Sequence, residues 1–139
     1  MNGFLLDTNV VSETMRSTPH KHVVAFLTRR DELWLSSILI HELEYGVQRL
    51  PRGQRRHALR SALRNVLADY RDLILDLNPG AAVWAARFRA QARGLGQTLD
   101  LGDALIAGTA RSHELTIATR NVRDFAGLDV NVVNPWDTR

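Results

Sequence analysis

A layered α/β domain, with a central parallel sheet and helices on both faces, is predicted by three features of this sequence. Short apolar runs alternate with stretches of helical periodicity along the chain. Residues that start or stop helices fall at the junctions: Ser36 or Ser37, Asn78-Pro79, Gly94 and Asp100. The first apolar run, Phe4-Leu5-Leu6, passes straight into the carboxylate of Asp7, as a buried strand does where its carboxyl end meets water.

Taken in order, Phe4 to Asp7 reads as a strand and Val10 to Arg16 as a helical stretch. His22 to Arg30 reads as a second helix, with Val23, Val24, Phe26 and Leu27 apolar. Leu33 to Ser36 is a strand, and a serine cap starts the helix Ile38 to Leu50, which Pro51 and Gly53 end. Between Arg55 and Tyr70, apolar residues from Ala58 to Tyr70 recur at helical spacing. Leu73 to Leu77 is a strand; Asn78 and Pro79 open a helix that Gly94 can close. Asp100 caps a helix running to about His113, followed by strands at Leu115 to Thr119 and Val130 to Val133. Repeats, linkers and low-complexity stretches are absent, so one domain is expected across residues 1–139.

At 139 residues, with 45% hydrophobic and 24% charged residues, the chain has the balance of an ordinary globule. No apolar run approaches the roughly 18 to 20 residues that span a bilayer, and no secretory signal opens the chain. With no cysteine, disulfides and thiolate metal sites are excluded, which fits a cytoplasmic location. The net charge is +3 and Lys21 is the single lysine, an arginine-borne excess compatible with a phosphate-rich partner or simply with solvated surface.

In open parallel sheets, ligands bind beyond the carboxyl ends of the strands, where strand order reverses. Asp7 is expected there. Glu42 and Glu44 point about 200° apart on their helix; Glu42 shares a face with Ile38 and Gly46, an apolar and a backbone-tight position, whereas Glu44 has His41 and Gln48 beside it and reads as solvent-facing. Glu42 is therefore the candidate, against the alternative of a surface glutamate with good helix propensity. Asp103 stands in the first turn after Asp100, a place acids favour for the helix dipole alone. Yet Ala104 to Ala110 makes this helix apolar nearly all round, so an acid at its start needs a cation or hydrogen-bond donors. Asn121 and Asp124 follow the strand ending at Thr119 and can reach the same edge if the connection makes a helical turn. Oxygen donors without cysteine or a paired histidine suit Mg²⁺ or Mn²⁺ rather than zinc. His20, His22, His41, His57 and His113 read as surface or packing residues.

The segments LLDTNVVSE, SSILIHELEYGV, LGDALIAGTA, TIATRNVRDF and NVVNPW, in this order and at these spacings, resemble the PIN-domain toxins of bacterial type II toxin–antitoxin pairs, specifically VapC-type proteins of the FitB-like group. The resemblance spans essentially the whole chain. It implies a Mg²⁺- or Mn²⁺-dependent endoribonuclease whose acids Asp7, Glu42 and Asp103 bind metal at the carboxyl ends of a parallel sheet. The family's fourth acidic position falls on Asn121, which lacks the charge, while Asp124 follows three residues later as a possible replacement. Thr8 and Thr119, with Asn9 and Asn121, are implied to orient carboxylates, water or substrate. The resemblance further implies a cognate antitoxin chain crossing the active site, a homodimer, and operator DNA contacted only through the antitoxin.

Arg56, Arg60 and Arg64 recur every fourth residue, with Arg52 continuing the spacing. This stripe is expected either to contact RNA or the antitoxin, or to be the solvated face of an amphipathic helix. Trp34, Trp84 and Trp136 are expected in core or interface packing. Two other classes compete: a phosphatase forming an aspartyl-phosphate, which would want an acid where Asn9 stands, and a catalytically inactive PIN-like nucleic-acid- or protein-binding module. A covalent phospho-intermediate would mark the first, and absence of Mn²⁺ binding the second.

Overall fold

The structure is a computed structural model and describes residues 3–137; the termini of the single domain expected over 1–139 lie outside the described residues. Among the described residues, five strands form one parallel sheet: β1 (Phe4–Leu6), β2 (Leu33–Ser36), β3 (Ile74–Leu75), β4 (Thr116–Ala118) and β5 (Val132–Val133), in the order β3-β2-β1-β4-β5. The helices are α1 (Thr8–Thr14), α2 (Lys21–Thr28), α3 (Ser37–Gln48), α4 (Gln54–Asp69), α5 (Pro79–Gly94) and α6 (Leu101–Ser112). Strand order runs outward from β1 through β2 to β3, then returns to β1's other side with β4, so the reversal falls between β1 and β4. Leu5 pairs with Ile117 and Leu6 with Ala118, which sets the carboxyl ends of these two strands side by side.

Side chains alternate across the sheet as the pleat requires. Leu6, Leu33, Leu35 and Ala118 face one core, packed with Val10, Val23, Leu39, Val47 and Leu63 from α1 to α4. Leu5 and Ile117 face a second core with Phe88 of α5 and Ile106, Ala107 and Ala110 of α6. A strand buried on both faces reads as a continuous apolar run, which is why Phe4-Leu5-Leu6 shows no alternation. Helices α5 and α6 touch through Gly108: a Cβ there would lie 2.3 Å from the Ala81 carbonyl oxygen and 2.8 Å from the Ala85 nitrogen.

Several boundaries differ from expectation. Asp7 is not the last strand residue but the cap of α1, which therefore begins at Thr8. The strand expected over Leu73 to Leu77 is the two-residue β3, preceded by a 3₁₀ turn (Arg71–Leu73), and β5 starts at Val132 rather than Val130. Both are edge strands, paired on one side only, so periodicity overstates their length. Gly46 is not backbone-tight, since a Cβ there would meet nothing within 4 Å. Ala58 is exposed rather than part of the apolar face of α4. Among the described residues, no helix is long and apolar enough to cross a membrane.

Candidate active site

The site begins at the strand-order reversal. Asp7 is 6% exposed and leaves β1 with its backbone N–H bound to the Ala118 carbonyl (2.9 Å). Its Oδ1 accepts from the Thr8 N–H (2.8 Å), capping α1; its Oδ2 accepts from the Thr119 hydroxyl (2.8 Å) and from Asn9 Nδ2 (3.3 Å). Thr119, fully buried at the end of β4, also accepts from Asn9 Nδ2 (3.1 Å) and the Asn121 N–H (3.0 Å). The Arg120 N–H closes the set on Asn9 Oδ1 (3.1 Å). Thr119 thus donates once and accepts twice, and three residues from two chain segments, Thr8, Asn9 and Thr119, fix one carboxylate.

Glu42 and Asp103 reach the same place from two helices. Ser36 caps α3, its Oγ accepting from the Leu39 N–H at 3.2 Å, and two turns later Glu42 stands above the start of α6. A Cβ on Gly102 would lie 3.6 Å from Glu42 Oε1, so glycine there leaves room for the carboxylate. Asp100 caps α6, Oδ2 accepting from the Gly102 N–H at 3.1 Å, and Asp103 follows in the first turn. Asp7, Thr8, Asn9, Glu42, Asp103 and Asn121 line one cavity of about 560 Å³. Asp124, on a 3₁₀ turn (Val122–Phe125), lines an adjoining cavity with Asp100, and Asp103 borders both.

Crowded carboxylates oppose one another's ionisation. Burial, then the charges of Asp7, Asp124, Asp100 and Glu42, push Asp103 up to about 7. Burial and the neighbouring Asp7 charge raise Glu42, with the Thr8 hydroxyl acting against them. Burial raises Asp7 too, although the Thr119 and Thr8 hydrogen bonds pull it down. Asp124 raises both Asp7 and Asp103, so it adds negative charge to this cluster. Asn121 faces the cavity and carries none.

The donors are hard oxygens, and the buried Thr8 Oγ1 has no partner within hydrogen-bond geometry although Glu42 is beside it. Such a set fits a Mg²⁺- or Mn²⁺-sized cation better than a soft metal. As they stand, no three His, Asp or Glu side chains among the described residues form a closed cage around one ion. The three acids share a cavity without being drawn together into ligand geometry.

The α4 stripe differs from its expected free outer face. Arg60 turns toward α3 and binds both carboxylate oxygens of Glu44, and Arg56 binds Gln48 Oε1 (2.8 Å), itself held by Glu44. Glu44, expected to face solvent, is held down to about 2 by the Arg60 and Gln48 hydrogen bonds. Arg52 and Arg64 are exposed. The cavity is also lined by Ser12, Glu13, Arg16 and Arg120, none of which stood out in the sequence, and by Trp136, which was expected only in core or interface packing. Asn9, Ser12, Glu13 and Arg16 recur at three- and four-residue steps, a polar face on α1 that marks them in retrospect. Trp136 offers no such signal.

Acids meet at the β1/β4 strand-order reversal, with α3 and α6 each contributing one, and this defines an α/β domain with a carboxylate-lined cavity at its strand ends. The chain belongs to the PIN domain family, whose model matches residues 4–131. It is 38% identical over 135 residues to Toxin FitB of Neisseria gonorrhoeae, covering 95% of this chain and 97% of that protein. It is 32% identical over 136 residues to VapC ribonuclease Y4jK of Sinorhizobium fredii, covering 96% and 97%. The solved structure of FitAB bound to the IR36 DNA fragment superposes with a TM-score of 0.88 at 34% identity, covering 98% of this chain and 97% of that one.

Proposed function

We propose that this protein is the cytoplasmic toxin of a toxin–antitoxin pair, a Mg²⁺-dependent endoribonuclease (Mn²⁺ substituting) that hydrolyses RNA phosphodiester bonds. The observation that carries the reading is the meeting of Asp7, Glu42 and Asp103 in one cavity from three separate elements. The ribonuclease and toxin names of its relatives support the same activity.

Asp7 and Asp103 would hold the cation. A bound divalent ion would lower the pKa of a water and offset charge on the phosphoryl oxygens. Thr119 and Thr8 fix Asp7 so that its remaining lone pairs face the cavity. Glu42, raised by burial and by Asp7, is suited to take the proton of the attacking water at a carboxylate oxygen. Asp124 supplies the charge that Asn121 lacks, acting on Asp7 and Asp103 from the adjoining cavity. Asn121, through its N–H on Thr119, keeps the hydroxyl turned toward Asp7.

A cognate antitoxin is the proposed partner, with operator DNA reached through it, and the toxin itself is proposed to be a homodimer. The DNA-bound FitAB neighbour supports the antitoxin and DNA parts of this reading. Asp7→Asn and Asp103→Asn should each abolish Mg²⁺-dependent cleavage of RNA while the purified variants stay folded by circular dichroism. Cleavage retained by either variant refutes the assignment. An aspartyl-phosphate enzyme would want an acid where Asn9 stands, and the Asn9 amide is instead occupied by Asp7 and Thr119.

A further inference from the structure

Two cations stand among the described residues lining the acidic cavity, Arg16 and Arg120, and both are held in place. Arg16 Nη1 lies 3.2 Å from each carboxylate oxygen of Glu13. Glu13 is buried and also accepts the His20 N–H (2.8 Å), so one carboxylate ties the end of α1 to the start of α2 and steers Arg16. The Arg16 side chain is nevertheless 67% exposed, leaving guanidinium N–H groups free to bind.

Arg120 follows Thr119 directly, with its N–H on Asn9 Oδ1 (3.1 Å), and its Cζ lies 5.2 Å from the centre of the Trp136 ring. Trp136 is anchored through its backbone: its N–H donates to Asn134 Oδ1 (2.9 Å), and its carbonyl lies 3.0 Å from His22 Nδ1. Trp136 packs against the core that includes Val10, Val11 and Val23 of α1 and α2, and it also lines the cavity. A guanidinium over a fixed indole is a flat, cationic platform of the kind on which unpaired bases stack.

We infer that Arg16 and the Arg120–Trp136 stack form the strand grip of this site: the guanidiniums hold RNA phosphates flanking the scissile one, and an adjacent unpaired base stacks on the platform. The inference rests on the ribonuclease reading above. Carboxylates at the centre repel a phosphodiester backbone, so attraction must come from the rim, and Arg16 and Arg120 are the cations that line the cavity of Asp7, Glu42 and Asp103. Arg56 and Arg60 are committed to Gln48 and Glu44. A base in a duplex is already stacked and paired, so the platform selects single strands.

The test is fluorescence anisotropy with a labelled, unstructured 12-nucleotide RNA on the Asp103→Asn background in EDTA, where binding is read without chemistry. Arg16→Ala and Arg120→Ala should each weaken binding about threefold to tenfold and lower the salt slope by about 0.7. Trp136→Leu should weaken binding about tenfold with the salt slope unchanged, and Trp136→Phe should restore most of it. Arg120→Lys keeps the charge but loses the planar stack, so its salt slope should hold while affinity falls. Arg89→Ala, exposed on α5, should change nothing. The same RNA annealed to its complement should bind at least tenfold more weakly.

Affinities of the Arg16 and Arg120 variants within twofold of the parent, or duplex bound as tightly as single strand, overturn the grip. Weakened capture of a protein partner with RNA binding intact assigns the rim to that partner and overturns it too. RNA held through this rim by a wild-type protein that cleaves nothing with Mn²⁺ defeats the nuclease reading and leaves the grip standing.

Discussion

Single side chains carry the sharpest consequences. Thr119 uses its hydroxyl three times, so Thr119→Val keeps its shape while leaving Asp7, Asn9 and the Asn121 N–H each short of a partner. The expected outcome is a loss of about 1–3 kcal/mol in urea unfolding, and a fall of about 10- to 100-fold in cleavage rate. Asp103 shows how a site opposes its own fold. With its folded value at about 7 against 3.8 in the unfolded chain, the native state holds a proton between those limits that the unfolded state has lost. Stability from this group therefore falls as pH rises from about 4 to 7, and the whole penalty is present above 7. Without metal, Asp103→Asn should raise stability at pH 8 by about 1–2 kcal/mol, solvent screening reducing the full shift, and should change little at pH 4. Equal effects at both pH values in thermal melts would remove the electrostatic account.

Among elements, α5 and α6 depend on one missing methyl group. Gly108 lets the α6 backbone approach Ala81 and Ala85, and Gly108→Ala must push the helices apart or strain them. A loss of about 1–3 kcal/mol is expected from chemical denaturation, with weakened cleavage because α6 carries Asp103. Helices α3 and α4 are joined by the Glu44–Arg60 and Gln48–Arg56 contacts instead. Glu44, held down to about 2, supports the fold above its unfolded value of 4.5, and that support disappears as pH falls toward 2. The helical period placed all six α-helices to within two residues, since long amphipathic segments state their faces plainly. The short edge strands β3 and β5 have too few side chains to state anything comparable.

For the molecule as a whole, the raised Asp7, Glu42 and Asp103 act in one direction: each makes the metal-free protein less stable as pH climbs through its folded value. The proposed cation would reverse this by favouring the ionised native state. At a Mn²⁺ concentration of 100 times Kd the expected gain is about 2.7 kcal/mol, read at pH 8 as a rise in Tm of about 8 °C. The rise should shrink near pH 5.5, where protons compete for the same oxygens, and vanish in Asp7→Asn. A melt insensitive to Mn²⁺ at pH 8 would favour the inactive binding module over the nuclease.

The sequence by itself determined the alternating architecture and named Asp7, Glu42 and Asp103 as candidates, because helical period, capping residues and a charge at a strand end are local properties. It also separated Glu42 from Glu44, since 100° per residue sends them to different sides. Only the tertiary structure decided that Thr119, just past β4, would brace Asp7, just past β1 and 112 residues away, because that depends on which strands lie next to each other. Likewise Arg56 and Arg60 left the solvent face for α3, and Trp136 came to border the cavity beside Arg120. Such contacts follow from how helices and segments dock, and no periodicity along the chain encodes them.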